Sequence, residues 1–158
     1  MGNPGWSLAL RDIPQPDFAD AAIVPMPAGA PTDPRIWAEE IFGLRTMPVW
    51  VVAALAVRQA VVPLLGIPRA PSNTFAVREQ VGDEVLVAAD DRHLDFRCAV
   101  AVDPSARLVR VTTTVRLHRW RGRVYFAPTA CCTPVVARAM IRSAGERLQR
   151  APDRHRGC

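Results

Sequence analysis

Lysine is missing from this chain: all 20 basic residues are Arg. They outnumber the 15 acids and leave a formal charge of +5, a balance that can mark an anionic partner. The distribution argues against that reading. Residues 1–91 hold 6 Arg against 11 acids and residues 92–158 hold 14 Arg against 4, yet within the second stretch the Arg are scattered. A solvated basic face or a coding preference for Arg explains them, and nucleic acid is not an expected partner. Cysteine is sparse. Cys98, Cys131, Cys132 and Cys158 form no C-x-x-C pair, and no His stands at zinc-finger spacing. Adjacent Cys131 and Cys132 are poorly placed to bridge each other, so a reduced, cytoplasmic setting is expected, with no metal.

Long hydrophobic runs are lacking too. Met47–Val57 is too short to span a bilayer, and Arg58, Gln59 and Pro63 interrupt its continuation. The N-terminus MGNPGWSLALRDIPQPDF lacks the charged-then-apolar order of a secretory signal. There is no phosphate-cradling Gly loop, no G-x-G-x-x-G after a strand, no nucleophile elbow and no defensible carboxylate pair. Neither a cofactor nor a reaction class can therefore be read from a motif. What is present is globular composition, 49% hydrophobic and 22% charged over 158 residues, enough for one domain with a real core.

Residues 1–19 carry Pro4, Pro14 and Pro16 without a sustained period, which predicts a flexible, extended arm. A single domain is expected over 20–150, followed by a disordered tail at 151–158. A short strand is predicted at Ala21–Val24. Asp33 as N-cap, Pro34 at the first helical position and Gly43 as stop predict a helix. A second helix is predicted from Pro48 to Gly66, apolar almost all round and therefore buried, with Pro63 distorting its last turn. The period then switches to two. Thr74–Gln80 and Glu84–Ala89 read as strands around a Val81-Gly82-Asp83 turn.

The stretch from Asp90 to Phe126 holds the most information. Leu94, Phe96, Cys98, Val100 and Val102 share one face of a strand, with His93, Asp95, Arg97, Ala99 and Ala101 on the other. Its partner puts Val109, Val111, Thr113, Val115 and Leu117 on one face. A loop over Pro104–Arg107 then pairs Val102 with Val109, Phe96 with Val115, Asp95 with Arg116 and His93 with His118. The register is restricted because a slip of one residue would turn every apolar side chain outward. A helix is expected at least from Pro134, with Thr133 as N-cap and Val136, Met140, Ala144 and Leu148 repeating along it. The pattern over Arg121–Cys132 fits helix or strand, and helix is the expectation. A meander with one apolar face must be covered, and the last helix is long enough to cover it. The predicted class is α+β, a helix-grip: a curved antiparallel sheet around a long C-terminal helix, with two helices between strand 1 and the meander.

The segment Asp90-Asp91-Arg92-His93-Leu94-Asp95-Phe96-Arg97 resembles the D-x-H-L-D-F stretch of a bacterial family catalogued as a domain of unknown function. Leu55-Ala56-Val57-Arg58 with Leu65-Gly66-Ile67, Gly122-Arg123-Val124-Tyr125-Phe126 and Arg138-Ala139-Met140-Ile141 resemble its further signatures in the same order. The resemblance covers roughly residues 20–148 and implies the START and polyketide-cyclase-like (SRPBCC) helix-grip superfamily, of which Bet v 1 is also an example. Cys131-Cys132-Thr133 stands where that family often reads Pro-Phe-His, so no role can rest on that His here. In some members the domain follows an NAD(P)-binding reductase-like domain, which implies a reductase-like protein as a candidate partner.

Among polar residues, Arg58 interrupts an otherwise apolar helix. Its guanidinium must snorkel to solvent, pair with an internal acid or hold an anionic ligand group. His93 and Asp95 share a face, as a metal site would require, but that face is expected to meet solvent, with Asp95 paired to Arg116. Tyr125 is expected in the core with its hydroxyl at a cavity edge, and Trp50 on the buried helix. Cys131-Cys132 reads as small buried thiols ahead of a reactive pair, and Trp120 as packing. The expected function is binding of a small apolar or amphipathic ligand between sheet and C-terminal helix, with Arg58, His93, Tyr125 and Trp50 as ligand-binding candidates and no catalytic residue assigned. The alternatives are a cyclase- or hydrolase-type enzyme using dispersed cavity residues, and an interaction module for a reductase-like partner.

Overall fold

Ten residues of β4 (Leu94–Asp103) pair with ten of β5 (Leu108–Leu117) along their full length, in a computed structural model that describes residues 7–43, 76–90 and 94–150, with the backbone alone for residue 76 and residues 119–133. Val102 faces Val109, Phe96 faces Val115 and Asp95 faces Arg116, as the alternation predicts. The loop between them is closed by Asp103, whose Oδ1 accepts from Ser105 Oγ at 2.6 Å and the Ala106 amide at 2.9 Å. This is the local side-chain capture typical of Asx turns.

The other elements are α1 (Leu8–Asp12), β1 (Phe18–Pro25), α2 (Pro34–Phe42), β2 (Ala76–Val81), β3 (Glu84–Asp90) and α3 (Arg119–Arg150). The five strands form one antiparallel, curved sheet in the order β1-β5-β4-β3-β2. The meander is consecutive, and the first strand returns to pair with the last. Gly82 turns the β2–β3 hairpin at φ 55°, a conformation that favours glycine. β1 is longer than the predicted Ala21–Val24, because β5 offers it partners from Phe18 to Pro25. Pro25 is tolerated because β1 is an edge strand.

Asp33 caps α2 by accepting from the Arg35 amide at 2.9 Å, with Pro34 next in the first turn. α2 delivers Trp37, fully buried, with its indole N–H donated to the Pro31 carbonyl at 2.8 Å. Trp37 joins Ala38 and Ile41 of α2, Val85 and Val87 of β3, Val100 and Val102 of β4, Val109 and Val111 of β5, and Ile141, Ala144 and Leu148 of α3 in one core. α3 packs against β1, α2 and β5. Its approach is close: a Cβ on Gly145 would lie 3.2 Å from Pro27 Cγ and 3.5 Å from Trp37 Cη2.

The structure corrects the sequence reading in three places. Residues Leu8–Asp12, within the stretch expected to be an extended arm, form a helix capped by Ser7 and docked on the sheet; tertiary contacts override the weak local pattern. Thr133 is not an N-cap, because α3 runs unbroken from Arg119 through Pro128 and Pro134. Each proline removes one N–H from the helical ladder, and the helix continues on both sides of it. The helical expectation for Arg121–Cys132 agrees with this course. The buried stripe of α3 is Ile141, Ala144 and Leu148, with Val136 only half-buried. The predicted helix from Pro48 to Gly66 and the tail 151–158 lie outside the described residues. No helix among the described residues is long and apolar enough to cross a membrane.

Trp37→Ala should lower the unfolding free energy by about 3–5 kcal/mol through the cavity it leaves, read as a drop in the urea midpoint. Val135→Ala, on the exposed face of α3, should stay within about 0.5 kcal/mol of the parent.

Candidate functional site

Directly opposed residues of an antiparallel sheet share a face, so the register sorts the inner face into rows. Val24, Val109 and Val102 form the first, and Ala22, Val111, Val100 and Val85 the second. All of these are buried beneath α2 and the C-terminal half of α3. The third row is Asp20, Thr113, Cys98, Val87 and Val77. The fourth is Phe18, Val115, Phe96 and Ala89, and the last is Leu117 with Leu94. Burial falls along this direction. Val115 remains covered, but Phe18, Asp20, Ala89, Leu94, Phe96 and Leu117 are half-buried.

The third row breaks the apolar pattern. Thr113 and Cys98 are buried, and the Thr113 hydroxyl lies 3.8 Å from the Cys98 sulfur, which accepts from it. Burial pushes the Cys98 thiol up to about 12, the Thr113 hydrogen bond opposing weakly, so the group is neutral. Asp20 stands beside Thr113 with no hydrogen-bond or ion-pair partner among the described residues. Polar groups in an apolar layer are where a binding function conflicts with packing.

The outer face is not solvated as the alternation implies. α1 lies across it, and Leu8 and Ala9 join Leu86 and Ala99 in a second small core. Arg97, expected on a solvent face, is 7% exposed. Its Nε donates to Asp12 at the end of α1, its Nη1 to Asp90, and Nη1 also to the Phe96 carbonyl at 2.9 Å. Arg78 adds a looser contact with Asp12 at 3.8 Å. At the other end of α1, Glu84 accepts from Ser7 Oγ at 2.7 Å and the Leu8 amide at 3.1 Å. The Thr114 hydroxyl donates to the Ala9 carbonyl at 3.2 Å. A carboxylate at the helix start and a guanidinium at its end also suit the helix dipole.

Asp95 does not pair with Arg116 as expected. Its carboxylate lies 2.9 Å from His118 Nε2, while Arg116 is exposed; diagonal cross-strand neighbours are within reach of longer side chains. His93, Arg58 and Trp50 lie outside the described residues, so the predicted pairing of His93 with His118 does too. Tyr125 is carried by the N-terminal half of α3, where the backbone alone is described. Among the described residues no group of three His, Cys, Asp or Glu could hold a metal ion. Sequence reasoning missed Asp20, since the predicted strand began one residue after it. Extending the Ala22, Val24 alternation backwards places it on the inner face.

These features define an α+β domain whose five-stranded antiparallel sheet packs its inner face against α2 and a long C-terminal helix, with half-buried side chains at one end beside a polar row. The chain belongs to the family described as Protein of unknown function (DUF2867), whose model matches residues 13–140; α1 lies just ahead of that stretch. Comparison with curated proteins and with solved structures gives no match.

The hydrogen bond from Arg97 holds the Asp12 carboxyl below its ordinary value of 3.8, with desolvation opposing and the charges of Arg97, Arg78 and Arg11 adding. A lowered folded pKa favours the native state above 3.8, and that contribution fades as pH falls through the folded value. Asp12→Asn should therefore cost about 1–2 kcal/mol at pH 7, a difference from the parent that shrinks as pH drops below 3.8. Arg97→Met should cost more, because two carboxylates are then left with only the looser contacts of Arg78. Urea titrations across pH check both.

Proposed function

We propose that this chain is a cytoplasmic, START-like helix-grip protein that binds a small apolar or amphipathic molecule between the sheet and α3. The observation that supports this reading is the graded burial of the inner face. Its first two rows are filled by the core, whereas Phe18, Ala89, Leu94, Phe96 and Leu117 are half-buried side chains at one end of the same apolar surface. Apolar walls with a few polar groups are the usual composition of small-molecule sites. Arg58, Trp50, His93 and Tyr125 stand as the ligand-binding residues proposed from sequence, joined by Asp20, Thr113 and Phe96.

The test uses Nile red, a neutral apolar probe, with dodecanol as competitor. The parent should bind the dye and release it to dodecanol. Ala89→Phe puts a large ring opposite Phe96 in the register, and it should weaken dye binding by about tenfold or more with little change in thermal midpoint. Absence of dye binding to the parent, or an unchanged affinity in a folded Ala89→Phe variant, overturns the reading.

A further inference from the structure

The sheet segregates its charges. Arg97, Arg110 and Arg116 lie on the outer face by register, and Arg78, at the β2 irregularity, reaches Asp12 and Asp90 on that face; Arg97 also meets Asp12, and Arg110 approaches Glu84 at 3.6 Å. The outer face also takes Glu79, Glu84, Asp90 and Asp95. Among the described strand residues one charged side chain remains on the inner face: Asp20. It has apolar neighbours along its own face, Phe18 on one side and Ala22 on the other. It is half-buried, and it lacks a hydrogen-bond or ion-pair partner among the described residues.

A carboxylate partly withdrawn from water is stabilised by a cation or by strong hydrogen-bond donors. The chain is rich enough in Arg to have supplied one from a neighbouring strand, yet β5 presents Thr113 opposite Asp20 and β4 presents Cys98 beyond it. Neither group carries positive charge. The row therefore offers one negative charge and a hydroxyl, bordered by Phe18, Val115 and Phe96 in the next row. An apolar tail lying along the half-buried Phe18 and Phe96 would bring its head group to Asp20 beside Thr113. A carboxylate or phosphate head would meet a like charge there, whereas a protonated amine would meet an acceptor.

We infer that the Asp20–Thr113–Cys98 row is the head-group end of the ligand site and selects amphiphiles carrying a protonated amine. This rests on the ligand-binding reading above and adds the class of ligand. Nile red displacement at pH 7 by dodecylamine, dodecanol and dodecanoate tests it, the three sharing a chain and differing in head group. On the parent, dodecylamine should compete about tenfold better than dodecanoate, the scale of one hydrogen bond to a charged group. Asp20→Asn keeps the shape and removes the charge. It should bring amine and carboxylate to within about twofold of each other while leaving dodecanol unchanged. Asp83→Asn makes the same change in net charge on the exposed β2–β3 turn and should leave the preference intact.

Displacement by dodecanol without amine preference, or an amine preference that survives Asp20→Asn, overturns the inference while the ligand site stands. Loss of preference in Asp83→Asn overturns it as well, since net charge alone would then explain the selectivity. Failure of the parent to bind Nile red removes the ligand site itself and the inference with it.

Discussion

The pairing of β4 with β5 is the constraint on which the other parts of this fold depend. Because side chains alternate strictly, a slip of one residue between these strands would exchange the two faces of the sheet. Val100, Val102, Val109 and Val111 would leave the core, and Arg97, Arg110 and Arg116 would turn beneath α3. β1 takes its register from β5 and β3 takes its own from β4. The inner rows, the seat of Trp37 and the polar interruption at Thr113 and Cys98 are thus consequences of one alignment. Asp103 helps to hold it at the loop by capturing Ser105 and Ala106.

The outer face shows how a polar signature can serve architecture. Asp90 and Arg97 bracket the segment that singles out the family resemblance, and in the structure they bond each other across the β3–β4 hairpin. Arg97 then reaches Asp12 and fixes the end of α1. A buried guanidinium without carboxylates would be costly; with two, it becomes a clamp between strand and helix. The small core of Leu8, Ala9, Leu86 and Ala99 adds apolar contact beside it. A five-residue helix has no stability of its own in water, so α1 depends on the sheet for the Glu84 carboxylate that holds its Ser7 cap and for the Arg97 counter-ion at its end.

Local chemistry made part of this legible in advance. The Asp33-Pro34 start of α2, the Gly82 turn and the β4–β5 register are each set by neighbours in sequence or by strict alternation, and each appears where it was expected. The docking of α1 was not legible, because Ser7 and Leu8 owe their partner to Glu84, far along the chain. The same holds for Asp95, whose choice of His118 over Arg116 depends on side-chain reach rather than register. Asp20 was hidden by a strand boundary. Propensity gave no reason to extend β1 back to Phe18, whereas β5 did. Of the residues proposed from sequence for the site, Arg58, Trp50 and His93 lie outside the described stretches.

The span of the α1 contacts has a consequence for the order in which the molecule can assemble. Ser7 meets Glu84 across 77 positions and Ala9 meets Thr114 across 105; β1 likewise pairs with β5, far along the chain. The partners of α1 and β1 therefore lie far downstream of them in the chain. Hairpins within the meander can close over short loops, but β1 must wait for β5 and α1 for the outer face that β3, β4 and β5 together create. Long loops of this kind are slow to close. The inward side chains of Phe18 and Val24 therefore stay without their neighbours Val115 and Val109 until β5 has formed.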